Sequence, residues 1–84
     1  MQFDVDRADK ELRVKTLTAI QLETAATWGA RAAVAYRFYA GTRDVSWLLD
    51  AEEYYHEAVE HAALAGVFDE VHAFLEPLRQ QSRM

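Results

Sequence analysis

Glu53 and His56 stand three residues apart in a chain that has no cysteine. In a helix those two side chains leave the same face about one turn apart, close enough to hold a single metal ion. Glu23 is the third residue of this kind. At about 100° per residue, Leu12, Thr16, Ala19, Ala26, Ala30 and Val34 form one stripe, and Glu23 lies in the middle of it. A carboxylate in such a stripe needs a partner, and Glu53-Tyr54-Tyr55-His56 offers one. Four-helix diiron carboxylate sites take a Glu from each of two helices and a Glu-x-x-His from each of the other two. This chain carries half of that set, so a two-fold dimer assembles four Glu and two His. Iron suits the mixture of oxygen donors and imidazole, and manganese is the alternative.

The elements that must position these residues are helical. Residues 16–40 carry only three charges (Glu23, Arg31, Arg37), one Gly and no Pro, which predicts a helix apolar nearly all round that has to be enclosed. After an extended leader over residues 1–5, helix one is expected over about 6–40, capped by Asp6 or Asp9. Gly41 is the expected left-handed C′ residue, and Thr42 or Asp44 caps the next helix after a short turn. Helix two is expected over about 44–65, ended by Gly66, with a core face of Val45, Leu48, Ala51, Tyr55, Ala58, Val59 and Ala62. Its other face holds Asp50, Glu53, His56, Glu57 and Glu60, with Leu49 and Leu64 among them. A shorter helix three follows over about 68–79, burying Phe74, Leu75 and Leu78. Pro77 is expected to kink or end it, and the polar tail to fray. The fold class is all-α: an antiparallel hairpin plus a short third helix in one domain over residues 1–84.

A chain of 84 residues builds only a small core, yet 51% of these residues are hydrophobic. That combination predicts a homo-oligomer, in which a second copy supplies the missing cover. The net charge of −5 and the lack of a Lys/Arg cluster exclude a phosphate-binding surface, so no nucleic acid is expected. Gln21, Glu23, Arg31, Arg37 and many alanines leave residues 16–40 too polar for a bilayer. The first residues show neither a basic start nor an apolar run, so no signal peptide is read, and a cytoplasmic setting is the default.

The order long helix, short turn, helix bearing Glu-x-x-His, short helix resembles the encapsulated ferritins, half-ferritins that complete a diiron site between two subunits. The likeness spans roughly residues 12–76. The helix-one Glu of that family precedes the Glu of the Glu-x-x-His by thirty residues, as Glu23 precedes Glu53. The resemblance implies a ferritin-like four-helix bundle formed by dimerisation, with two iron ions at the dimer interface. Glu23 and Glu53 become the carboxylate ligands and His56 the terminal imidazole. The implied activity is ferroxidase, with Fe(II) oxidised by O2. Acidic family positions beside the helix-one ligand are Leu22 and Ala25 here, aromatic ones after it are Gly29 and Ala30, and residues 80–84 show no encapsulin-targeting peptide.

Each of these residues also has a structural reading. Glu53, His56, Glu57 and Glu60 read equally as a solvated acidic face, and Glu23 as one half of an ion pair with Arg31. Glu57 is otherwise an accessory carboxylate. His61 and His72 are expected to make ordinary hydrogen bonds, and Arg31 and Arg37 to pair with helix-two acids. Trp28, Tyr36, Phe38, Tyr39, Trp47, Tyr54 and Tyr55 read as core and interface filler. The rival function is a helical protein-interaction or oligomerisation module. Ala51-x-x-x-Tyr55-x-x-Ala58 matches half a tetratricopeptide repeat, although Ala63 stands where that repeat has Pro.

Overall fold

A computed structural model describes residues 4–83. Three helices account for nearly all of them: α1 (Val5–Thr42), α2 (Val45–Leu64) and α3 (Phe68–Ser82). The all-α class and the helix order agree with the sequence, and the corrections lie at the ends. Helix α1 starts earlier than expected, because the Asp4 carboxylate, and not Asp6 or Asp9, accepts from the Arg7 amide at 2.9 Å. Val5 is therefore already helical, and the rest of the proposed leader, residues 1–3, lies outside the described residues.

At its other end α1 runs through Gly41. The left-handed residue is Arg43, with φ 58°, and its amide bonds the Tyr39 carbonyl at 2.7 Å. Asp44 then caps α2 by accepting from both the amide (3.0 Å) and the hydroxyl (2.9 Å) of Ser46. The backbone bond and then the hydroxyl bond hold its carboxyl below the usual range. The chain thus reverses within two residues, because the cap at Asp44 leaves only Arg43 to make the bend. At the α2 end the expected glycine is used: Gly66 has φ 77°, its amide bonds Ala63, and the Val67 amide bonds the Ala62 carbonyl at 2.8 Å.

Helix α3 continues through Pro77 to Ser82. Proline removes the donor to the Ala73 carbonyl, and both residues are exposed, so water can take that place. The tail does not fray before Ser82, which is buried and bonds the Arg79 carbonyl through its hydroxyl.

The core is made largely of alanine. Ala25, Gly29, Ala32, Ala33, Ala35 and Tyr36 of α1 face Ala51, Tyr55, Ala58 and Ala62 of α2, and Leu75 of α3 closes the third side. Small side chains let the helix axes approach, and among the described residues the only large side chains fully enclosed are Tyr36 and Leu75. Phe74, expected inside, is 56% exposed. All of this packing lies along the C-terminal half of α1. Every residue from 4 to 20 is exposed, and the molecule measures 65 × 19 × 13 Å. The overhang is studded with Leu12, Leu17 and Ile20.

Candidate functional site

Helix register decides which predicted residues meet. Tyr36 bonds Glu52, Trp28 packs on Tyr54 with ring centroids 5.6 Å apart, and Gln21 contacts His61. Glu23 is therefore level with residues near 60, and Glu53 with residues near 32. The two carboxylates are offset by roughly nine residues, about 14 Å along the axis. Residues thirty apart face one another across a hairpin only when the turn lies midway between them. Here the turn is at Arg43 and Asp44, about five residues past that midpoint.

Their faces differ as well. Glu23 is exposed, as are Thr16, Ala19, Ala26, Ala30 and Val34 of the same stripe. The stripe is therefore continuous, but it points away from α2 and α3, and the buried face of α1 is the one carrying Ala25, Gly29, Ala32 and Tyr36. Glu53 and His56 are exposed on α2, opposite Ala51, Ala58 and Ala62, with the His56 ring edge-on to Tyr55 at 5.6 Å. Within one chain Glu53 and His56 share a face, and Glu23 does not join them. Among the described residues no group of three His, Asp or Glu side chains is gathered to hold a metal ion. A mononuclear or dinuclear site does not fit a single chain; Glu53 and His56 are a two-donor pair that needs ligands from elsewhere.

The other ionisable side chains are engaged in structure. His61 bridges α2 to α1, with Nε2 3.6 Å from Glu57 and Nδ1 against the Gln21 amide oxygen. His72 lies 3.5 Å from Glu76 and stacks on Phe68. Arg31 and Arg37 make no ion pair with α2 among the described contacts; Arg31 instead covers the Trp28 ring at 4.9 Å. The cation that meets α2 comes from α3.

That cation is Arg79, the centre of a polar cluster that ties all three helices. Its Nε donates to Glu52 Oε2 at 3.0 Å, and its guanidinium lies 4.5 Å over the Tyr55 ring. Tyr36 donates to Glu52 Oε1 at 3.2 Å, and Tyr55 to Glu76 at 3.4 Å. Burial first, and then the Glu52 charge, push the Tyr36 phenol well above its ordinary value; burial and Glu76 do the same to Tyr55. Burial alone would lower Arg79, but Glu52 outweighs it and the guanidinium is held charged. No described buried side-chain nitrogen or oxygen lacks a partner, and the groups of the cluster satisfy one another. Glu52 and Arg79 were not singled out from the sequence. The available signal was that Tyr36 and Tyr55 occupy core positions, where each hydroxyl needs an acceptor.

An apolar groove opens between α1 and α3, floored by Ala25, Ala26 and Gly29 and walled by Leu22, Val71 and Phe74. No described helix is long and apolar enough to cross a membrane. No protein-family model matches this chain, and neither does any curated protein or solved structure.

Proposed function

We propose that this chain is a helical assembly module: a three-helix unit that acts as a homo-oligomer and presents its faces only in that form. The observation that carries this reading is the overhang of α1, in which every residue from 4 to 20 is exposed while Leu12 and Ile20 remain 63% and 52% accessible. An isolated helix of that length is marginal in water, and most helical stability comes from packing an apolar face. The overhang therefore gains its order from a neighbour. Sedimentation equilibrium over a concentration series tests it. An even oligomer at micromolar concentration is expected, and a monomer throughout that range rejects the reading.

A second reading, a ferritin-like metal site between copies, is favoured by one observation. Glu53 and His56 lie one turn apart on an exposed face with no partner among the described hydrogen bonds and ion pairs, so donors from another copy can complete them. These two residues would hold iron or manganese, with Glu23 as a ligand only from a different chain. Bound there, iron would supply the Fe(II) oxidation of a ferroxidase. Equilibrium dialysis against Mn(II) and anaerobic Fe(II) tests it. Stoichiometric binding lost in Glu53→Ala and His56→Ala supports the site, and equal retention by all three proteins removes it.

A further inference from the structure

We propose that the outward stripe of α1 is the contact surface for a second copy of this chain, with the two α1 helices side by side and antiparallel. This rests on the assembly reading above and adds which face is used and in which orientation. The stripe runs from Val5 through Ala8, Leu12, Ala19 and Ala26 to Ala30, all exposed, while the buried face of α1 is spent on α2 and α3.

The area is sufficient. The chain exposes 6241 Å², whereas a folded monomer of 9.6 kDa exposes about 5,100 Å². The excess, about 1,100 Å² per copy over all faces of the elongated chain, is of the order of the roughly 800 Å² that each partner buries in an interface of standard size. The radius of gyration says the same: 17.2 Å against about 12 Å for a compact chain of this length. A second copy is the occupant because the stripe complements itself. Its N-terminal part carries the branched side chains Val5 and Leu12, and its next stretch is flat, with Ala26 and Ala30.

Antiparallel pairing lays Leu12 of each copy on Ala26 of the other, whereas in-register parallel pairing sets Leu12 on Leu12. With Leu12 over Ala26 of the second copy, Ala8 meets Ala30 and Ala19 falls on the two-fold axis. Glu23 is then level with Lys15 of the second copy along the axis.

The test uses the full chain, which has no native cysteine. Leu12→Glu and Ala26→Glu alter exposed positions, so circular dichroism should show unchanged helicity. Each should weaken self-association at least a hundredfold by sedimentation, while Leu49→Glu, on the outward face of α2, should leave it unchanged. Ala19→Cys should form an intermolecular disulfide under mild oxidation, and Thr42→Cys, at the far end of α1, should not. If the wild type is monomeric, this proposal and the assembly reading fall together. If it associates but both stripe variants associate as tightly, or Thr42→Cys cross-links in preference to Ala19→Cys, the assembly reading stands and this surface is wrong.

Discussion

Tyr36 shows how one side chain is divided between two demands. Its ring fills the centre of an alanine core, and its hydroxyl reaches the edge of that core to donate to Glu52. Burial and the Glu52 charge both disfavour the phenolate, so the folded pKa lies above the unfolded one. Stability from this group is therefore fully present below the unfolded value of about 10 and is lost as pH rises above it. Tyr36→Phe should cost about 1 kcal/mol at neutral pH, because Glu52 keeps Arg79 as a partner. It should also flatten the decline of stability at alkaline pH, measured by urea melts, and remove a late-ionising phenol from the ultraviolet titration. The tyrosine itself was legible as core from its position. Its partners were not: Glu52 sits beside Glu53 in sequence, and only the packing of α3 against α2 brings Arg79 to Glu52.

At the scale of the element, the two turns contrast. Gly41 was the expected end of α1 and Gly66 of α2, on the same reasoning about left-handed backbone. Gly66 does adopt φ 77°, but Gly41 remains helical and Arg43 takes the strained position. Gly66→Ala should therefore destabilise the protein by about 1–2 kcal/mol, since a Cβ is disfavoured there even though the space beside it is open. Gly41→Ala should instead stabilise by about 0.5–1 kcal/mol, since it replaces a glycine inside a helix where a Cβ meets nothing within 4 Å. Thermal melts of the two variants should move in opposite directions. The periodicity of α1 identified a real stripe, but a helix apolar on several sides has more than one face to bury. Which of them meets α2 is decided by close packing of Ala32, Ala35 and Tyr36 with Ala51, Tyr55 and Ala58, a comparison between two surfaces that neither segment contains alone.

For the whole molecule, α1 is nearly twice the length of α2, and that mismatch sets the shape. A bundle of uneven helices leaves apolar surface with no intramolecular cover, and on the assembly proposed above association would stabilise the folded chain by mass action. The melting temperature should therefore rise with protein concentration, and because the stripe holds mostly uncharged side chains it should depend only weakly on salt. The all-α class, the three helices, the end of α2 at Gly66 and a cap for it at Thr42 or Asp44 were legible in the sequence, because composition, apolar period and turn chemistry act over a few residues. Only the tertiary structure decided that Glu23 lies far along the axis from Glu53 and His56 and on a different face. The position of a two-residue turn sets the register of the whole hairpin, and a shift of a few residues there moves every pairing down its length.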